Sequence, residues 1–151
     1  MLGIALYQPD IPQNVGAMFR LCACMGVCTE IIEPCSFPWD ERKIKKSAMD
    51  YMSKTNYTLH SSWKNFLENR SKQRIILMTT RAAMPYTDFE FRSDDILLAG
   101  SESAGVPDDV HSAVDGRILI PMQAGLRSLN IVNATSMILG EALRQTEWST
   151  K

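Results

Sequence analysis

Apolar and polar positions along this chain follow two periods, one near two residues and one near 3.6, and the two take turns. Residues 2–7, LGIALY, are an apolar run short enough for a buried strand, ended by the loop that carries Pro9 and Pro12. Residues 14–26, NVGAMFRLCACMG, place apolar side chains at helical spacing, with Asn14 suited to the N-cap and Gly26 to the C-terminal stop. Residues 27–34, VCTEIIEP, alternate and carry β-branched side chains, which predicts a second strand. Between Pro38 and Tyr57 the periodicity fades, and the charge run Arg42, Lys43, Lys45 and Lys46 reads as a solvated helix face.

Regular patterns then return. The spacing predicts a short amphipathic helix over 61–70, strands over 74–80 and 95–100, and a helix over 107–114 with Pro107 in its first turn. A last short strand follows at 116–121, then a helix over 131–145 whose Ala134, Ser136 and Gly140 let another helix approach closely. Strands alternating with helices predict an α/β fold with an open, mostly parallel sheet and helices on both faces. Three consecutive strands end in loops of similar composition, MTTRAA, GSESAGVP and PMQAGLRSLN. Ligands in such sheets sit beyond the carboxyl ends of the strands, so these loops are expected to surround one pocket.

Composition narrows the classes. A chain of 151 residues fits one domain, 1–151, and 45% hydrophobic with 22% charged residues is ordinary for a folded soluble protein. No apolar run approaches the roughly 18–20 residues that cross a bilayer, and the N-terminus lacks the basic opening of a secretion signal, so a cytosolic location is expected. The net charge of −1 gives no overall basic excess, so any polyanion must meet a local patch. Cys22, Cys24, Cys28 and Cys35 do not follow a zinc spacing, and His60 and His111 stand apart, so the cysteines read as small reduced core residues and no metal is expected.

The loops hold the candidate chemistry. No G-x-G-x-x-G follows the first strand, no phosphate-loop motif occurs, and no G-x-S-x-G elbow is present, which removes the usual nucleotide and serine-hydrolase sites. Gly100 and Gly105 allow a tight turn around Glu102, which is either a solvated loop acid or an orienting carboxylate. Ser128 or Asn130 can cap the last helix. A cap alone explains either residue, but not why both are kept behind the approach Gly125–Arg127.

Taken together, PDIPQNVGAMFRLC, LLAGSESAGVP and ILIPMQAGLRSLNIVNATSMILGEALRQ resemble, in order and spacing, the three motifs of the SpoU-type RNA ribose 2′-O-methyltransferases of the SPOUT superfamily. IIEPCSFPWDERKIKKSAMDY further resembles the minimal branch of that family acting on the tRNA wobble nucleotide. The resemblance implies a C-terminal trefoil knot, a homodimer, tRNA as substrate, and S-adenosylmethionine as methyl donor without a metal. It assigns the donor to Met78, Thr79, Gly100, Glu102, Gly105, Ile120, Met122, Ser128 and Leu129. It makes Arg20 catalytic, with Asn14 orienting Arg20 or the ribose, and Glu102, Ser128 and Asn130 shaping the hydroxyl side. RNA contacts are expected from Arg20, Arg42, Lys43, Lys45, Lys46, Arg127 and Arg144.

By itself Arg20 reads equally well as a surface helix residue. A guanidinium holds its proton to pH ~12.5, so a cation that grips the neighbouring phosphate and stabilises charge on the 2′-oxygen suits the reaction better than a general base. The implied reaction is methylation of the ribose of nucleotide 34, cytidine or modified uridine, in leucine tRNAs. The alternatives are another tRNA or ribosomal RNA site, a small-molecule methyltransferase, or a non-catalytic RNA-binding factor of the same fold.

Overall fold

The computed structural model describes residues 1–70 and 72–148. Six strands form one sheet: β1 (Gly3–Tyr7), β2 (Cys28–Ile32), β3 (Tyr57–His60), β4 (Ile75–Met78), β5 (Ile96–Ala99) and β6 (Gly116–Ile118). Their order is β3-β2-β1-β5-β4-β6, and every pairing is parallel rather than mostly so. β3 was not expected from the pattern: Thr58 and Leu59 are exposed at the sheet edge, so the segment shows no apolar alternation.

β1 lies between β2 and β5 with all five residues buried, which is why its sequence runs apolar without alternating. Its side chains still divide by face. Leu2, Ile4 and Leu6 enter one core with α1 (Pro12–Met25), α2 (Glu41–Ala48) and α5 (Ile131–Thr146). Ala5 and Tyr7 enter the other, with Phe66 of α3 (Trp63–Asn69) and Val110 of α4 (Asp108–Ala113). Helices therefore cover both faces.

In α2 only Ile44 and Ala48, one turn apart, are buried, which turns Arg42, Lys43, Lys45 and Lys46 to solvent. The helix sits tightly on α1: a Cβ on Gly16 would lie 2.0 Å from the Ser47 hydroxyl and 2.7 Å from the Ile44 carbonyl oxygen. Two helix starts differ from the expected ones. α1 begins at Pro12, with Ile11 in the cap position and no side-chain cap, so Asn14 is not an N-cap but lies in the first turn. The ring of Pro12 fixes that earlier start, since its missing N–H is one the first turn leaves unbonded anyway. Pro107 occupies the cap position of α4, outside the first turn.

The chain crosses from β1 to β2 by α1 on one face and from β5 to β6 by α4 on the other. Adjacent strands whose connections leave on opposite faces part their loops at the carboxyl edge, and a crevice opens there. At the amino edge the corresponding groups are closed off: Arg74 donates to both oxygens of the fully buried Asp95 carboxylate, at 2.8 and 2.7 Å, and Asp115 accepts from the Ile75 N–H at 2.8 Å.

Candidate active site

A cavity of about 750 Å³ lies at the carboxyl ends of β4, β5 and β6. The loops after these strands form its walls, and the approach to α5 closes over it. Met78, Thr79, Gly100, Glu102, Gly105, Ile120, Met122, Ser128 and Leu129 all line it, so the residues assigned to a donor meet in one place. Thr80, the end of the cofactor loop 78–80 that the resemblance implies, lines it too, and Arg81, Leu119 and His111 join without having been assigned to the donor from the sequence.

The β5 loop turns back on itself. Ser101 and Gly105 exchange backbone hydrogen bonds at 2.9 Å each way, and the Ser101 hydroxyl accepts from the Ala104 N–H at 3.2 Å. Two glycines make this possible. Gly105 has φ +64°, and a Cβ on Gly100 would lie 2.6 Å from the Gly105 carbonyl carbon.

Glu102 is the hub of the network that joins this loop to α1 and α5. One of its oxygens accepts from the Asp10 N–H at 3.1 Å and the other from the Asn14 amide at 3.0 Å. The Glu102 N–H donates to Asp10 at 3.0 Å, and the Ser103 hydroxyl bonds the second Asp10 oxygen. Asn14 in turn accepts from the Asn130 amide at 3.2 Å. Asn130 caps α5, accepting from the N–H groups of Val132 and Asn133. Glu102 is thus bonded within the protein through both carboxylate oxygens.

Burial, followed by the adjacent Asp10 carboxyl, raises the pKa of Glu102 above the usual glutamate range. Hydrogen bonding with Glu102 is the main cause that draws Asp10 down to about 2. Of this pair Glu102 is therefore the one that takes a proton first. Asp10 was missed from the sequence. Its only signal was an acid placed in the loop directly after β1, and its partners lie 92 and 93 residues away.

Arg20 is not in the cavity. It is exposed on α1, with Nη1 3.4 Å from Met49 Sδ and its guanidinium carbon 5.5 Å from the centre of the Tyr51 ring. Asn14, expected to orient Arg20 or the ribose, is bonded to Glu102 and Asn130 instead of Arg20. Arg127 lines the cavity, but Arg42, Lys43, Lys45 and Lys46 do not. Arg144, also expected among the RNA contacts, does not line the cavity and is held on α5 by two bonds to Glu141, each 2.8 Å.

The cysteines are free thiols, but they are not uniformly core residues. Cys22 is buried, whereas Cys24 is exposed on the outer face of α1. Burial pushes Cys22 up to about 12 and Cys35 up to about 11, which keeps both as unreactive thiols. No helix among the described residues is long and apolar enough to cross a membrane.

An all-parallel α/β sheet with a loop-walled cavity at its carboxyl edge, Gly100 and Gly105 in its lining, is the arrangement in which folds of this class place small ligands. The chain belongs to the SpoU rRNA Methylase family, which it matches over residues 1–140. It is 51% identical to a tRNA (cytidine(34)-2′-O)-methyltransferase of Beijerinckia indica, over 94% of this chain and 90% of that one. A solved structure described as giving insights into the 2-OH methylation of C/U34 on tRNA superposes with a TM-score of 0.93 at 34% identity, over 100% of this chain and 98% of the other. The SpoU methyltransferase AviRb from Streptomyces viridochromogenes, solved with the cofactor AdoMet, shares the fold with a TM-score of 0.86 at 23% identity, over 96% of this chain and 57% of that one.

Proposed function

We propose that this protein methylates the ribose 2′-hydroxyl of nucleotide 34, cytidine or modified uridine, in leucine tRNAs, using S-adenosylmethionine. In this reading it is one domain with a C-terminal trefoil knot, acts in the cytosol as a homodimer, and needs no metal. The observation that carries the proposal is the convergence of the three loops on one cavity, with the β5 loop and the approach to α5 tied together by the chain Asp10–Glu102–Asn14–Asn130.

The cavity fits the donor. Its volume is within the range of roughly 300–1,000 Å³ usual for such ligands. Met78, Ile118, Leu119 and Ile120 offer an apolar wall for a base, and Gly100 and Gly105 leave the backbone open to polar groups. S-adenosylmethionine supplies an electrophilic methyl on a positively charged sulfur.

The chain's own residues do the rest. Glu102 holds the β5 loop against α1 through its two accepted bonds. Ser128 and Asn130 set the side from which the hydroxyl enters. Arg20 remains a cation, grips the phosphate beside the target ribose, and stabilises negative charge growing on the 2′-oxygen while its proton passes to a phosphate oxygen or water.

Three features support the quaternary and knotted parts of the proposal. Leu126 is 69% exposed, and Ile11, Leu129 and Met137 each about 41–42%, an apolar rim of the kind that a partner covers. Since Arg20 stands outside its own cavity, a second subunit would bring one chain's Arg20 to the other's donor. After β6 the chain crosses the carboxyl edge and is tied to α1 by the Asn130–Asn14 bond before α5 packs on the same face, as a threaded C-terminus would require.

The test is to map 2′-O-methyl groups in tRNA from cells lacking the gene and to add back purified protein with S-adenosylmethionine. Loss of the mark at position 34 and its restoration are expected. An unchanged mark at position 34 overturns the proposal.

A further inference from the structure

We propose that Met49 and Tyr51 are positioning residues that hold the Arg20 guanidinium in place without neutralising it. The inference rests on the reading above, in which Arg20 acts on the RNA.

How an arginine is held decides what it can still do. Arg74, Arg81 and Arg144 each pair with a carboxylate, at 2.7, 3.1 and 2.8 Å. A fork engaged in that way has its charge balanced and its best donors occupied. Arg20 has no carboxylate within ion-pair distance among the described residues. It rests instead on the Tyr51 ring, at 5.5 Å, and against the Met49 thioether, at 3.4 Å. Both contacts are attractive to a cation yet weak, and neither removes charge. Lys54 approaches the same ring, its ammonium 6.0 Å from the centre, so one tyrosine gathers two cations.

Met49 carries the second observation. It stands where α2 ends, with φ +54° and ψ −134°, a conformation that side-chain-bearing residues rarely adopt. Glycine would adopt it freely, and core packing does not call for methionine, because the side chain is 54% exposed. What the methionine provides is its sulfur on Arg20. A strained residue kept for a single contact points to a task for that contact. The segment also continues directly from the basic face of α2, so RNA docked on Lys45 and Lys46 lies one turn of chain from the device that aims Arg20.

Three variants and one spectrum test this. In position-34 methylation, Tyr51→Leu and Met49→Gly are expected to lower kcat roughly tenfold, with the KM for tRNA and the affinity for S-adenosylmethionine within about threefold of wild type. Tyr51→Phe keeps the ring face and is expected to restore kcat to within about twofold. In the free protein, the Arg20 side-chain Nε–Hε resonance carries a ring-current shift that Tyr51→Leu removes and Tyr51→Phe retains.

A merely structural role would lower Tm while leaving kcat per folded molecule intact. Met49→Gly relieves the backbone, so a fall in kcat without a fall in Tm is specific to the contact. Wild-type kcat in both Met49→Gly and Tyr51→Leu, or no ring-current shift at Arg20, overturns the cradle and leaves the proposed function standing. A wild-type protein that does not methylate position 34 overturns the function and the cradle together.

Discussion

At the carboxyl edge of the sheet the polar groups are bound to one another, whereas on the α1–α2 surface the cations stand without carboxylate partners among the described residues. Glu102, Asp10, Asn14 and Asn130 form one hydrogen-bonded chain across three loops. Arg20, Arg42, Lys43, Lys45, Lys46 and Lys54 make no ion pair among the described residues. The difference matches the two ligands in the proposed reaction. A small donor needs a cavity whose shape is set before it arrives, because loops ordered on binding lower affinity. A polyanion needs charge that is still available, because its affinity comes from phosphate contacts that displace counterions. The chain keeps the two regions apart, with Arg20 outside the cavity.

Removing Arg20 is the strongest way to break this division. Arg20→Ala is expected to lower kcat by about 10²–10³, the scale seen when one donor to developing charge is lost. Calorimetry should find the affinity for S-adenosylmethionine unchanged, since no cavity residue is touched. A matching loss of donor affinity would mean that the regions are a single site.

The complementary change strikes the cavity. Gly100→Ala would place a Cβ 2.6 Å from the Gly105 carbonyl carbon, and backbone cannot yield there as a side chain could. A stability loss of about 1–3 kcal/mol, read by chemical denaturation, and roughly tenfold weaker donor binding are expected. Binding of tRNA alone should be spared, because the basic face of α2 lies outside the loop. Equal losses in donor and tRNA binding would show that the loop also carries RNA.

The regions also differ in how much of them the sequence disclosed. Local physics was readable: the charge run Arg42, Lys43, Lys45 and Lys46 announced a solvated helix face, opposite which Ile44 and Ala48 are buried, and the unbroken apolar run of β1 announced a buried strand. Glycine at 100 and 105 disclosed a tight loop. Long-range meetings were not readable. Asn14 looked like a cap because a polar residue precedes an apolar period, yet its partners lie 88 and 116 residues away. β3 escaped because an exposed edge strand has no buried face to print a pattern. The motif resemblance gathered the cavity residues, but no spacing rule could place Met49 and Tyr51 around Arg20.

The smallest expected effect concerns how the cavity network is charged. Asp10 is drawn from its ordinary 3.8 to about 2, so its ionised form favours the folded state, and that contribution is lost as pH falls through about 2. Glu102 is raised, so its contribution has the opposite sign: complete below its ordinary 4.5 and lost as pH rises through the folded value. Asp10→Asn keeps an oxygen for the Glu102 N–H but removes the charge. Denaturation curves measured from pH 6 down to 2 should show the variant less stable near neutrality, with the two proteins converging as pH drops from 3.8 toward 2. The gap should be modest, because Asp10 is half-buried and water screens it. Parallel curves would mean that Asp10 serves the cavity only as a hydrogen-bond acceptor, and that the carboxyl edge holds its shape without using charge.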